Sequence, residues 1–322
     1  MNRSAPAITR ASFVFVLLAL LVSACATPQL ERLQSDRQGL PERAEVPAVP
    51  FFAQEDLYCG PAALATTLAW SGLPVTQQEL VPVVYTPGRD GTLQSDIVAG
   101  ARSYGRLAIP LQELRDLLAE LAAGNPVLVF QNLGLSWIPQ WHYAVAVGYD
   151  LRDSTIILNS GANERMAVPL ATFERTWSRA QHWALVVTPP ARLPATAREA
   201  PATEAAAGIE RARRRPEAAQ AYGAIVARWP QAYIAWMGLG NTSYTLKEFA
   251  TAETAYRHAG QIRPDAPEPW NNLAYAVAQQ GRTYEAIEFA ERAVAKAGDK
   301  AEQFRDTVVE IRQMDRTQRL RR

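Results

Sequence analysis

The chain has 322 residues, 48% hydrophobic and 20% charged, with a formal net charge of +1. That is ordinary globular material, long enough for about two domains. The near-neutral balance argues against a nucleic-acid binder, which would carry a clear basic excess. Two cysteines and three scattered histidines offer no ligand spacing of the CxxC kind, so neither a metal nor another cofactor is expected.

Residues 1–24 begin with Arg3 and Arg10 and continue into the apolar run "ASFVFVLLALLVSA". The run falls short of the roughly 20 residues of a comfortable membrane span and suits a signal peptide. It ends in "LVSAC", and small residues before a cysteine resemble the lipobox of bacterial lipoproteins. That resemblance implies cleavage before Cys25, lipid on Cys25 and a membrane anchor. Ala26, where Asp would retain the protein at the inner membrane, implies by analogy the outer membrane of a Gram-negative bacterium, facing the periplasm. An ordinary secretory signal cut nearby is the alternative. If Cys25 is lipidated, Cys59 is an unpaired thiol in an oxidising compartment, a liability unless it has work to do.

Polar residues 25–45 read as a tether, and residues 46–188 as a mixed domain. A helix is expected to open near Cys59, with apolar Ala63, Leu64, Leu68 and Trp70, and to end at Gly72 and Pro74. Pro61 in its first turn loses no hydrogen bond, because those N–H groups have no helical partner. Cys59 then sits at the positive end of a helix dipole, which lowers a thiol pKa. The plainer alternative is a small buried core residue. Downstream, "HYAVAVGYD" alternates like a strand with one buried face, and a short turn at Leu151–Asp153 leads into "STIILNSG". Antiparallel pairing brings His142, at the start of one strand, beside Asn159, at the end of the next. Asn159 can then orient the imidazole. His182 reads as a rim residue, and His258 lies in the helical third.

Cysteine on an early helix, histidine on a later strand and Asn on the following one form the papain-like order. "PFFAQEDLYCGPAAL" and "WHYAVAVGYD" resemble the matching segments of the C39-like, bacteriocin-processing-related cysteine peptidases; "TPGRDGTLQSDIVAGARSYG", "ATFERTW" and "WALVVTP" resemble later ones. The resemblance spans residues 46–188 and implies an α+β papain-like fold. It implies Cys59 as nucleophile, His142 as base, Gln54 as the side-chain donor of the oxyanion hole, and a peptide or protein as substrate. The third member, commonly Asp in the peptidases, falls on Asn159, followed by Ser160 instead of Pro. The family's secretion-linked members are fused to a transporter with an ATPase. This chain shows no such spans and no phosphate-cradling Gly-rich loop, so cleavage of double-glycine leaders is not carried over. Acyl transfer in place of hydrolysis remains open, as does the same fold kept as a binding module. Trp137 and Trp141 flank the histidine as candidate walls of a cleft.

Residues 189–203, "PPARLPATAREAPAT", have the composition of a stiff linker, expected to keep two cores separate. Beyond it Trp236, Leu239, Gly240, Ala252, Tyr256, Ala259 and Pro264 recur 34 residues later as Trp270, Leu273, Ala274, Ala286, Ala290, Ala293 and Gly298. The period resembles the tetratricopeptide repeat, which implies an all-α second domain over 204–300 and a concave groove for a protein partner. Ala218, Tyr222 and Pro230 mark a weaker preceding unit, and residues 301–322 read as a capping helix. Trp236 and Trp270, recurring at one period, are both expected to be buried.

Overall fold

The computed structural model describes residues 27–53, 58–89 and 91–320, with side chains up to Met314 at the C-terminal end. Cys25 and Gln54 lie outside the described residues.

The sheet domain is built on one antiparallel sheet. Its strands are β1 (Arg43–Glu45), β4 (Leu107–Leu111), β5 (Val127–Asn132), β6 (Trp141–Asp150), β7 (Thr155–Ser160), β8 (Asn163–Pro169) and β9 (Ala184–Thr188), with spatial order β4-β9-β5-β6-β7-β8 and β1 paired to the end of β6. A small separate hairpin joins β2 (Tyr85–Thr86) to β3 (Gly91–Thr92). Helices α2 (Cys59–Trp70), α3 (Gln77–Val84) and α4 (Gln94–Ser103) cover one face of the sheet, meeting Tyr143, Val145 and Val147. Helices α1 (Pro28–Ser35), α5 (Leu114–Ala122) and α6 (Leu170–Ser178) cover the other, meeting Ala144 and Ala146. The alternation in β6 therefore separates two buried faces, where the sequence suggested one. Large residues pack toward α2, and alanines let the helices behind approach closely.

Helix α2 is buried continuously from Gly60 to Leu68. A helix apolar on every side belongs in the interior, and replacing fully buried Leu64 or Leu68 by Ala removes about 2–5 kcal/mol. Its first turn is crowded: a Cβ placed on Gly60 would lie 2.5 Å from Thr92 Oγ1. Glycine is needed there so that the β3 segment can lie against the helix mouth.

The segment read as a tether is docked from residue 28 onward. Glu174, fully buried in α6, accepts the backbone N–H groups of Gln29 and Leu30 at 2.8 Å each, capping the N-terminus of α1. Leu30 and Leu33 enter the core beside α5, and β1 then adds to the sheet.

The helical array consists of α7 (Glu199–Arg211), α8 (Arg215–Arg228), α9 (Tyr233–Thr245), α10 (Phe249–Ile262), α11 (Pro267–Gln279), α12 (Thr283–Lys296) and α13 (Ala301–Leu320). The 34-residue period recurs as a hydrogen bond. The Trp236 indole donates to Pro230 O at 2.9 Å, and the Trp270 indole donates to Pro264 O at 3.2 Å. Cβ atoms on Gly238 and Gly240 would fall 2.4 Å from the rings of Tyr222 and Tyr256, so α9 is held between two tyrosines. The two tryptophans differ in burial. Trp270 is 6% exposed, whereas Trp236 is half-buried and stacks on His258 at 4.3 Å between ring centres.

The linker does not isolate the two cores. Leu107 and Ile109 of edge strand β4 share one hydrophobic cluster with Ala202, Ala205, Ala206 and Ile209 of α7 and with Tyr222 and Ile225 of α8. Glu120, fully buried in α5, fixes the connection: it accepts from Thr196 N and Thr196 Oγ1 at 2.6 Å, Ala195 N at 3.2 Å and Asn125 Nδ2 at 2.6 Å. The composition was that of a spacer, but Ala197 and the early residues of α7 cover an otherwise bare sheet edge.

Candidate active site

The candidate residues gather at the end of the sheet where β6 begins and α2 opens. Cys59 is the first residue of α2 and is partly buried. The backbone N–H groups of Tyr143, Gly60 and Cys59 itself are directed at its sulfur. The Tyr143 contact follows from strand pairing. Phe130 N–H bonds Trp183 O, so on β6 the Tyr143 N–H points away from β5. On that side the pairing with β7 ends at Val145↔Asn159, which leaves the thiol as its neighbour.

His142 precedes Tyr143 and stands opposite Gln131, whose amide reaches Thr176 on α6. Its Nε2 lies 2.9 Å from Ser160 Oγ. Asn159, the expected orienting residue, does not meet the imidazole: its Oδ1 accepts the backbone N–H of Arg165 at 2.9 Å. The reason is a β-bulge. Asp150 pairs with Thr155 and Gly148 with Ile157, but Ala146 pairs with Leu158 and Val145 with Asn159, so one extra residue enters β6. A one-residue shift moves every later side chain to the other face. Without the bulge Asn159 would share the face of His142. With it, Ser160 does. No hydrogen bond joins the His142 ring to the Cys59 thiol.

Burial raises the Cys59 thiol pKa, and the three N–H groups only partly oppose it. Burial also lowers the His142 imidazole. Both shifts favour the neutral forms. The helix-mouth position suggested a lowered thiol pKa, but burial moves it the other way.

Aromatic rings floor the surface beside the thiol. Phe130 stacks on Trp141 at 5.2 Å and lies tilted against Tyr143 at 4.4 Å, and Trp183 meets Tyr143 edge-on at 6.1 Å. Trp141 is 51% exposed and Trp137 is 76% exposed on the loop between β5 and β6. Tyr143 donates its hydroxyl to Thr92 O at 3.1 Å, tying β3 to β6. Thr92 Oγ1 is buried against the helix mouth with no hydrogen-bond partner among the described residues. Ser160 and Thr92 were both missed from sequence. Ser160 could be told from Asn159 only with the length of the turn and the bulge both known, and a threonine in a loop carries no signal of its own. His182 lies on the far side of the same sheet end, edge-on to Trp177 at 4.9 Å. Among the described residues no cluster of His, Cys, Asp and Glu is arranged to hold a metal.

Residues 46–185 match the model of the Peptidase_C39 like family, and residues 210–267 match a tetratricopeptide repeat. The chain joins a C39-like domain to tetratricopeptide repeats. Among solved structures similar to it is a protein described as a C39-like peptidase from Bacillus anthracis, 19% identical, covering 46% of this chain and 98% of its own, with a TM-score of 0.41. Another is a double glycine motif protease from an AMS/PCAT transporter in complex with the leader peptide, 22% identical, covering 45% of this chain and 93% of its own, with a TM-score of 0.37. No curated protein matches the chain.

Proposed function

We propose that the C39-like domain is a cysteine peptidase whose nucleophile is Cys59 and whose base is His142. The supporting observation is the thiol at the mouth of α2 against the Tyr143 N–H, one residue along from His142. In this reading the cycle begins from the neutral pair. As Sγ attacks the scissile carbonyl carbon, the thiol proton passes to the imidazole. The carbonyl oxygen becomes an oxyanion, held by the Cys59 N–H and the Gln54 amide. The imidazolium then gives its proton to the leaving amine, and water releases the acyl group. Contacts between base and nucleophile are often long before substrate binds and tighten in the complex. Ser160 Oγ supports the ring from the side opposite to that contact, the part assigned from sequence to Asn159. Each oxyanion donor contributes about 3 kcal/mol to the transition state.

In the same proposal the domain is anchored in the envelope of a Gram-negative bacterium by lipid on Cys25, in the outer membrane facing the periplasm. The repeats bind a protein partner in their groove. The shifts toward neutral forms and the lack of a hydrogen bond between the His142 ring and the Cys59 thiol favour one competing reading, a papain-like binding module without turnover.

The test is hydrolysis of a mixed peptide library by the purified protein, read by mass spectrometry. Wild type should cleave, Cys59→Ala should not, and Gln54→Ala should lower kcat by about 10²–10³. Activity that survives Cys59→Ala, or its absence from wild type together with reversible peptide binding, returns the assignment to the binding module. For the anchor, metabolic labelling with a fatty-acid analogue should mark wild type and not Cys25→Ser.

A further inference from the structure

A crevice of about 540 Å³ opens between the sheet domain and the first helix of the array, lined in part by Gln94, Val98, Arg102, Trp183, Gly208 and Arg211. Its near end, at Trp183 and Gln94, borders the surroundings of Cys59. Trp183 forms part of its wall and meets the ring of Tyr143, the residue whose backbone N–H faces the thiol. Gln94, on the opposite wall, follows two residues after Thr92, which lies against Gly60. A peptide crossing the aromatic surface beside Cys59 would run into this crevice.

Its charge is unbalanced. Arg102 reaches across from α4 and lies flat on Gly208 of α7, where a Cβ would come within 2.8 Å of Nε and Nη1. One terminal nitrogen, Nη2, donates to Ala108 O at 3.4 Å, while the buried Nε has no partner among the described residues. Arg211, the second guanidinium, is paired with Glu204 at 2.6 Å, and among the described residues that same carboxylate is the acid acting on Arg102. Two guanidiniums thus share one carboxylate, Arg102 largely buried against Gly208 and the Arg211–Glu204 pair open to solvent. The Arg102 pKa is lowered by burial, consistent with a cation short of compensation.

We propose that this crevice is a subsite of the peptidase centre for an acidic side chain of the peptide substrate, with the first helix of the array supplying one of its walls. The subsite rests on the reading of Cys59 as nucleophile. It gives the fusion of the two domains a direct role: Gly208 is the floor on which the specificity-determining Arg102 lies, so the repeats complete the substrate site as well as offering a groove of their own.

The experiment compares two labelled decapeptide pools, one with Asp and Glu at alternate positions and the other with Asn and Gln. Hydrolysis is measured on wild type, Arg102→Gln and Arg102→Lys. Binding is measured by fluorescence anisotropy on Cys59→Ala with and without Arg102→Gln. Wild type should favour the acidic pool by about tenfold or more in kcat/KM, the scale of one charge-assisted hydrogen bond. Arg102→Gln should erase the preference, Arg102→Lys should keep most of it, and iodoacetamide labelling of Cys59 should be unchanged in both. Equal cleavage of the two pools, or a preference that survives Arg102→Gln, overturns the subsite and leaves the peptidase standing. Absence of cleavage, with acidic peptides still bound in an Arg102-dependent way, overturns the peptidase and retains the acidic site. Absence of both overturns both.

Discussion

Gln29 meets Glu174 across 145 positions of the sheet domain, and Thr196 meets Glu120 across 76. In the helical array Arg257 meets Glu285 across 28 positions, and Thr307 meets Asn271 across 36. The first region depends on distant segments arriving in register around one buried carboxylate at a time. The second repeats a short-range solution. Its polar ladder shows this, with Glu253 and Glu285 each holding both Arg257 and Arg282 across neighbouring hairpins. A repeating solution tolerates variation within each unit, as the unequal burial of Trp236 and Trp270 shows. A single solution does not, because each buried acceptor serves donors that have no other partner. The shared cluster of Leu107, Ile109 and α7 joins the two regimes, so they are expected to unfold together along that seam.

The contrast can be broken at four places. Trp270→Ala should cost about 3–5 kcal/mol in urea denaturation, and Trp236→Ala about 1–2 kcal/mol, because that ring is only partly buried. Equal losses would mean that sequence period, and not local packing, sets the energy. Glu120→Ala should cost about 3 kcal/mol, since it strands the N–H groups of Ala195 and Thr196. Faster hydrogen exchange in both α5 and α7 should accompany it; exchange confined to α5 would show the seam to be inert. Glu174→Gln should cost about 1–2 kcal/mol and expose residues 28–45 to limited proteolysis without disturbing the array.

The smallest effect concerns the thiol. Its raised pKa predicts that iodoacetamide labelling climbs with pH through a midpoint above that of an ordinary thiol, about 8.5. His142, lowered by burial, is already neutral at pH 7, so His142→Ala should leave that midpoint nearly unmoved in the unliganded protein. A midpoint near pH 6 that rises in His142→Ala would instead establish a resting ion pair. Since folding favours neutral His142, its contribution to stability is present above the unfolded histidine pKa of about 6.5 and is lost as pH falls toward the lower folded value.

Cys59 at a helix mouth, followed by Gly60 and Pro61, was legible because capping and first-turn preferences act over a few residues. The alternation of β6 and the 34-residue period were legible for the same reason: each repeats a local geometry. The tether and the linker were misread because composition reports what a segment is made of and not what it covers. Leu30, Leu33 and Ala197 are few among polar neighbours, yet each fills a place left open by residues far along the chain.

The identity of the residue facing His142 shows the limit most sharply. Sequence placed both Asn159 and Ser160 at the end of the strand after His142, and a hairpin continued without a bulge from the Asp150–Thr155 pair would have turned Asn159 toward it. One extra residue in β6 turned Ser160 there instead. Side-chain direction in a strand has a period of two, so a single inserted residue reverses it. Whether β6 takes that bulge depends on how its two faces pack against α2 on one side and α5 and α6 on the other, which only the assembled sheet decides.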